Sequence, residues 1–558
     1  MKSNLNLKPW IMALSIIISI LPVSAKRNVQ FFWIDSGVRC YVDTLPAPSK
    51  TALTGSCWRG ERAYAEAIIN SDTDLDAVTV RTTPLKNGKN IIPASSVKVQ
   101  FVRPVIGDAI VGFNQCGERD SLTVPKIKVF DILDTVQKTD VTAGRYQPVW
   151  FTVNVPEDAA PGVYRAEVGV YSTVGKLATL PLVVKVVDRK LPPPKEWRFH
   201  LDLWQNPYAV ARYHGDELWS KEHFQHMVPV MKILSNAGQK VITTTITNRP
   251  WNSQTYDPFA SMVVKVKRSD GSWLYDYSTF DLWIDFMTGI GIDQQINCYS
   301  LVTTSSTFDY FDAATSSYKT IVAKPGSKEF KDFWAPFIKD FAAHLRNRGL
   351  FEKTTLAMDE SKLDDLLAVT EFIHHIEPDF KMSLAGWMHP EVEGVLSDLS
   401  VTFYGDMPQE TLERRDSTGK TSTFYTCCDE NLPNTFIASP PAEAEWLPVY
   451  AAAKGYDGYL RWAYNSWTQD PLKDARHRLY GAGDCFLVYP NGRSSIRMDK
   501  LVSGIEMFEK ISILRENASP EAIAALENVL CEFTLETLLD KGAGVVLDKL
   551  KKIIDSTN

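Results

Sequence analysis

Two acids stand side by side at Asp359 and Glu360, directly after Thr354-Thr355-Leu356-Ala357-Met358, a run with the length and β-branched content of a strand. In a strand alternate residues share a face, so Leu356 and Met358 point one way while Thr355, Ala357 and Asp359 point the other. Glu360 falls where the strand ends and the backbone is free to turn its side chain toward the same opening. Two carboxyls in one pocket can do acid–base work on a glycosidic bond, but sequence neighbours do not easily straddle it at the roughly 5–5.5 or 6.5–9.5 Å that ordinary glycosidases need. They can cooperate when the nucleophile belongs to the substrate. The carbonyl oxygen of a 2-acetamido group then attacks the anomeric carbon, one carboxylate orients the acetamido nitrogen, and the other protonates the leaving oxygen. Like charges roughly 6 Å apart at an effective dielectric of about 20 repel by about 3 kcal/mol, or about 2 pKa units, which brings a glutamic acid toward neutrality. The competing reading is helix capping, with Asp359 or Ser361 at the start of a helix near Lys362 and Asp364 and Asp365 in its first turn.

An acid pair at a strand end works only if other strand ends surround it, and the rest of the chain reads as supplying them. Between 196 and 498, short apolar runs alternate with helical segments, giving candidate strands at 199–203, 241–247, 292–299, 354–358, 381–385, 401–404, 421–426 and 458–464. Helices are clearest over 223–237, 328–348, 362–375 and 442–454. Eight such units in about 300 residues predict a (β/α)8 TIM-type barrel with its active site at the carboxyl ends of the strands. Polar insertions around 262–277 and 307–323 read as hairpins in βα connections. Upstream, 26–190 holds short β-branched runs between turn clusters, without helical periodicity, which predicts an N-terminal β-sandwich. The prolines of Leu191-Pro192-Pro193-Pro194-Lys195 mark a stiff, extended linker over 191–195. Residues 499–558 form a C-terminal helical segment, so the fold class is multidomain, β plus α/β.

On the predicted rim, Trp204, Asn206, Asn248, Trp387, Tyr404, Asp406, Trp462, Tyr464, Asn465 and Trp467 are candidates for holding a sugar. Indoles stack on the apolar faces of sugar rings, and amides and carboxylates bind hydroxyls. In Arg461-Trp462-Ala463-Tyr464-Asn465-Ser466-Trp467 one parity set offers Trp462 and Tyr464 and the other Asn465 and Trp467, and a bulge would mix them. The charge balance suits an uncharged partner: Lys+Arg total 60 against Asp+Glu 67, a net charge of −7, with no basic run to form a nucleic-acid groove or anionic-membrane patch. No zinc-type Cys/His spacing and no phosphate-cradling glycine loop occurs, so no metal and no cofactor is expected. Residues 1–25 read as a secretory signal peptide: Lys2 and Lys8, an apolar run too short to span a bilayer, then Val23-Ser24-Ala25 as cleavage site. The expectation is an exported protein, periplasmic or secreted, with no membrane span. Its eight cysteines leave disulfide connectivity open. The neighbours Cys427 and Cys428 read either as a strained vicinal bridge or as two free thiols.

The sandwich with its Pro-rich end, the adjacent Asp-Glu after a fourth strand, and the segments Gly483-Asp484-Cys485-Phe486-Leu487-Val488-Tyr489-Pro490 and Ser495-Ile496-Arg497 resemble glycoside hydrolase family 123 over most of 28–515. These are exported β-N-acetylgalactosaminidases. The resemblance implies an exo-acting enzyme that removes terminal β-linked GalNAc with retention through an oxazolinium-type intermediate, Asp359 stabilising the acetamido group and Glu360 serving as acid/base. It also implies aromatic residues around the acetamido group and a tyrosine on its oxygen, for which Tyr464 and Tyr404 are the candidates. The partner would be a glycolipid or glycoprotein glycan ending in β-GalNAc. Met507-Phe508 departs from the more acidic, tyrosine-containing stretch expected in relatives. Two other readings stay open. One is a conventional glycosidase with Glu360 as acid and Asp406 or Glu430 as partner; the other is a glycan-binding surface protein without catalysis. Galacto against gluco preference depends on how loops meet the C4 hydroxyl, which residue order does not give.

Overall fold

The computed structural model describes residues 28–557 apart from 113, 119–123 and 253; the signal-peptide reading of 1–25 lies outside the described residues. Eight parallel strands make the barrel: β1 (His200–Leu203), β2 (Val241–Thr245), β3 (Gln295–Tyr299), β4 (Thr354–Asp359), β5 (Lys381–Gly386), β6 (Asp398–Thr402), β7 (Thr421–Tyr425) and β8 (Gly458–Arg461). They pair in the order β1-β8-β7-β6-β5-β4-β3-β2. At the remaining seam, between β1 and β2, glutamine side chains stand in for much of the ladder. Gln239 accepts the Leu203 N–H at 3.0 Å and donates to the Val241 carbonyl at 2.8 Å, and Gln205 accepts the Thr243 N–H at 2.9 Å. Backbone groups buried at the seam are thereby paired as burial requires.

Strand alternation builds the barrel in layers. Leu356, Met358, Met382, Leu384, Leu399 and Val401 face outward into the core shared with the helices. Facing inward, Thr355 hydrogen-bonds Asn297 at 2.7 Å and Ser383 at 2.8 Å. Above that polar layer lies an apolar one of Trp204, Tyr299, Ala357, Ala385, Tyr425 and Leu460. The residues one step further along the strands therefore open at the carboxyl end. Three of the helices that follow strands have serine or asparagine N-caps: Ser220 for Lys221–Ser235, Ser327 for Lys328–Asn347, and Asn206 for Pro207–His214. The two hairpins expected in the βα connections combine into one four-stranded sheet, in which Trp273 and Tyr275 pack edge-on to Phe333 and Phe337 of Lys328–Asn347.

The N-terminal domain is a sandwich of two largely antiparallel sheets. Its strand Arg62–Ser71 is buried almost throughout because both faces are covered. Ala63, Ala65, Ala67 and Ile69 enter the core between the sheets, while Tyr64 and Ile68 join the core of the barrel. The proline segment is not a free spacer: it makes a 3-10 turn at Pro194–Glu196, and the Trp197 indole donates to the Pro192 carbonyl at 2.8 Å. A long helix, Ile496–Asn517, bridges both domains. Near its start Arg497 binds Asp131 of the sandwich at 3.0 Å, and Phe508 packs on Phe199 just ahead of β1, at the end of the barrel opposite the strand termini that hold Asp359. The Met507-Phe508 departure therefore lies away from the acids. The helices Pro520–Leu530, Leu535–Lys541 and Ala543–Ser556 follow, and Asp555 reaches back to Lys185 of the sandwich at 3.2 Å.

Candidate active site

At the carboxyl ends of the strands lies a pocket of about 390 Å³, of a size for a small ligand. Asp359 and Glu360 line it from β4, Trp387 from just beyond β5, Thr402 from β6, Cys427 and Asp429 from the loop after β7, and Trp462 from just beyond β8. Trp204 forms the floor, packed on Tyr299 at 4.5 Å and on Trp251 at 5.1 Å. Asp359 is half-buried against these rings and Glu360 is exposed to the opening. Asp359 caps no helix: the following helix, Leu363–Ile376, starts from Lys362 without a side-chain cap.

The turn at Glu360 is what brings the second carboxyl round. Its φ is +40°, a left-handed conformation that a side chain rarely adopts and that costs roughly 1 kcal/mol or more. Three contacts hold it. The Glu360 N–H donates to the Ala385 carbonyl at 2.8 Å, the Tyr425 hydroxyl donates to Glu360 Oε1 at 2.9 Å, and Gly386 lies so near that a Cβ there would come within 3.3 Å of the Glu360 Cα. Burial raises Asp359 well above the usual carboxylate range, the charge of Glu360 raises it further, and the Trp251 indole N–H counteracts this in part without meeting hydrogen-bond geometry. Burial and then the charges of Glu360 and Asp359 push the Tyr425 phenol upward, which keeps it a donor.

Trp462 owes its position to the Gly483–Pro490 segment. Asp484 accepts the Trp462 indole N–H at 3.0 Å and pairs with the fully buried Arg461 at 2.9 Å. Arg497 in turn donates to the carbonyls of Thr435, Gly483 and Phe486 at 2.8, 3.3 and 2.9 Å. The two sequence segments singled out beside the acid pair thus form one scaffold that ties the β8 rim to the sandwich.

Of the ten candidate sugar-holding residues, Trp204, Trp387 and Trp462 line the pocket and the other seven do not. Asn206 and Asn465 are fully buried partners of each other, at 2.8 and 2.9 Å. Asn248 ties the β2 loop to Asp309 of the inserted sheet at 2.9 Å. Tyr464 and Trp467 are core residues, donating to the carbonyls of Val230 at 2.8 Å and Val488 at 2.7 Å. The reason is that β8 ends at Arg461, so strand parity stops applying just where it was used to choose Tyr464. Strand β6 begins at Asp398 and ends at Thr402, earlier than expected, which leaves Tyr404 and Asp406 exposed beyond the pocket lining. The tyrosine beside the acids is Tyr425. It lies within the candidate strand 421–426 with the inward parity, one layer below the residues past the strand ends from which the ten candidates come. Trp251, Tyr480, Asp429 and Gln254 are further residues in or beneath the pocket that the ten omit.

Glu430 has no exposed surface; burial pushes it up to about 7 although it accepts the Cys427 N–H at 2.7 Å. Cys428 is bonded to Cys116 of the sandwich, so neither the vicinal bridge nor a pair of free thiols forms; Cys427 is a free thiol. A separate cavity of about 190 Å³, between the sandwich and the C-terminal helices, is lined by charges already paired, Lys500 and Lys551 with Glu445 and Lys510 with Glu61. Among the described residues no group of three or more His, Cys, Asp or Glu is placed to hold a metal ion, and no helix is long and apolar enough to cross a membrane.

A parallel barrel with two acids and three indoles at its carboxyl rim is an arrangement suited to glycoside hydrolysis. The chain matches the Glycoside hydrolase 123 catalytic domain over residues 204–514 and the Glycoside hydrolase 123 N-terminal domain over 38–172. It belongs to glycoside hydrolase family 123 and is a glycosidase. A family 123 glycoside hydrolase from Clostridium perfringens, described for glycolipid glycan hydrolysis, has the same fold at 23% identity, with a TM-score of 0.85 over 95% of this chain and 98% of that one. A family 39 glycoside hydrolase from the gut symbiont Bacteroides cellulosilyticus is 11% identical over 74% of this chain and 83% of its own, with a TM-score of 0.34, too slight a likeness to bear on the site. No curated protein is detectably similar in sequence.

Proposed function

We propose that this glycosidase is an exo-acting β-N-acetylgalactosaminidase that hydrolyses terminal β-linked GalNAc with retention, using the substrate's acetamido oxygen as nucleophile. The observation that carries the reading is the placement of adjacent acids at different depths of one pocket, Asp359 against the aromatic floor and Glu360 turned to the mouth. The two sit on the same strand end, where they serve one edge of a sugar and do not clasp it from opposite sides. Of the partners that a conventional mechanism would need, Asp406 is outside the pocket lining, and Glu430 borders the pocket without exposed surface, one carboxylate oxygen taken by the Cys427 N–H.

Burial, and then the charge of Glu360, hold a proton on Asp359 to unusually high pH. An acetamido N–H donating to Asp359 favours its ionised form, so substrate binding moves the pair's proton onto Glu360, where the leaving group needs it. The acetamido oxygen then bonds to the anomeric carbon, the glycosidic C–O bond breaks, and Glu360 protonates the departing oxygen. The cationic oxazolinium ring sits beside the Asp359 carboxylate. In the second half Glu360 takes a proton from water, whose oxygen bonds to the same carbon from the face the leaving group vacated and reopens the ring, restoring the β anomer.

Comparing an aryl β-GalNAc with the matching aryl β-galactoside tests this directly. A 2-hydroxy substrate turned over as fast as the 2-acetamido one would rule out the substrate-supplied nucleophile, whereas strong inhibition by a thiazoline analogue and a β anomer first in proton NMR are expected. Asp406→Asn is expected to leave kcat close to wild type. The galacto preference comes from family membership, and the glycolipid glycans of the Clostridium perfringens enzyme make a β-GalNAc-ended glycolipid oligosaccharide the natural substrate to try. We also infer export: the leader-like residues 1–25 support it, and so does a disulfide, a bond favoured in oxidising compartments.

A further inference from the structure

Between the sandwich strands Val97–Asp108 and Lys126–Leu133, residues 114–118 form an arm that lies on the barrel rim. The Gln115 N–H donates to the Cys428 carbonyl at 2.5 Å, and its side-chain amide to Asn431 at 2.8 Å. The Gly481 N–H donates to the Gln115 carbonyl at 3.2 Å, and Cys116 forms an antiparallel bridge with Tyr480. Arm and rim meet closely, since a Cβ at Gly481 would lie 3.1 Å from that of Gln115. The Cys116–Cys428 disulfide then joins residues 312 apart in sequence, with Cα atoms 4.9 Å apart.

Both ends of this joint face the chemistry. Cys116 and Cys428 line the same pocket as Asp359 and Glu360. Tyr480, which the arm pairs with, packs edge-on to Trp462 at 5.4 Å and feels the charge of Glu360. Cys116 and Glu360 are both exposed, so the arm stands at the mouth of the pocket and not at its floor. The group that Glu360 protonates must lie at that mouth.

We propose that residues 114–118 of the sandwich are the wall of the leaving-group subsite, and that the Cys116–Cys428 bond sets the affinity for glycans longer than one sugar by holding that wall in place. The identity of the occupant rests on the hydrolase reading above. Without the bond the arm is held to the rim by hydrogen bonds through the buried Gln115 and through Gly112, each worth little in net terms, and its exposed residues around Cys116 must be ordered each time a longer glycan binds. A dithiol reductant transfers two electrons and two protons to the bond, leaving thiols at Cys116 and Cys428 and an oxidised, cyclic reductant. The other six cysteines are already thiols, so reduction has one target.

The test uses the full chain carrying Glu360→Gln, so that ligands persist, and reads the Kd for GalNAc and for a β-GalNAc-terminated trisaccharide by tryptophan fluorescence. It compares oxidised protein, protein in dithiothreitol, and protein with Cys116→Ser and Cys428→Ser added. The expected result is about tenfold weaker trisaccharide binding after either treatment, with a much smaller loss for GalNAc, and no further effect of dithiothreitol on the serine variant. Equal trisaccharide affinity in all three, or parallel losses for both sugars together with a lower Tm, would overturn the proposal. Wild-type turnover is measured alongside: if no 2-acetamido glycoside is hydrolysed yet trisaccharide binding still depends on the bond, the catalytic reading falls and the arm stands. Absence of binding to the oxidised protein would end both.

Discussion

Asp359 and Glu360 differ in burial although they are neighbours, and burial separates the roles proposed for them. Glu360→Gln is expected to lower kcat by about 10²–10⁴ on a sugar leaving group and by less on an aryl one, which departs without full protonation; steady-state rates on both substrates check this. Asp359→Asn should lower kcat on a 2-acetamido substrate to a similar extent while making the protein more stable. The sign follows from linkage. A carboxyl whose folded pKa is raised favours the protonated fold, so its contribution is complete below the unfolded value of about 3.9 and is lost as pH rises through the folded one. The Tm advantage of the asparagine variant should therefore be near zero at about pH 4 and grow toward neutral and alkaline pH. Tyr425→Phe removes the donor that steadies Glu360 and is expected to cost about tenfold in kcat with little change in Tm.

Between the residue and the domain, the turns after the strands decide whether the acids meet. Glu360 reaches the pocket because the end of β5 is glycine at 386 and leaves room for the left-handed turn of β4. Gly386→Ala places a methyl 3.3 Å from the Glu360 Cα, tighter than most packed atoms lie, and the turn must shift by a few tenths of an ångström. The expected outcome is a fall in kcat of about tenfold with near-wild-type circular dichroism, because displacement at a catalytic group is costlier to chemistry than to the fold. The Gly483–Pro490 segment acts at the same scale: it reaches Trp462 through Asp484, while Arg497 clamps its backbone from behind. Arg497→Met would strip Asp131 of one buried partner and release three carbonyls, costing about 3–5 kcal/mol of stability in denaturant unfolding.

Across the whole molecule, the two domains share a core and a set of buried ionisable groups, and these give the stability its pH dependence. Burial holds Glu66 and Glu443 up to about 8, and Glu506 up to about 7 despite its contact with Arg62. Each favours the protonated fold, so the stability they confer is complete below the unfolded value of about 4.3 and is lost as pH rises through 7 to 8. Asp131 works in the other direction, its burial outweighed by Arg497 and Arg39, and matters only in acid. Glu443→Gln is expected to gain Tm over the wild type progressively from about pH 5 to about pH 9 in calorimetry; a difference that does not change with pH would contradict it. Because strand Arg62–Ser71 is buried on both faces, sandwich and barrel are expected to unfold together in one transition, not as two domains on a linker.

The sequence by itself determined what depends on local pattern. Apolar periodicity located eight strands and their helices and alternation gave the inward parity of Asp359, because each of these is settled within a few residues; the adjacent acids pointed to the chemistry proposed above. What lay past the strand ends was decided only by tertiary structure. Tyr464 and Trp467 have the composition of a binding rim and are core, while Tyr425 is in a strand and faces the acids, since loop side chains go where neighbouring elements leave space. The same holds for Cys116: nothing near it in sequence marks its partner, and only the docking of the sandwich on the barrel carries it 312 residues along the chain to Cys428.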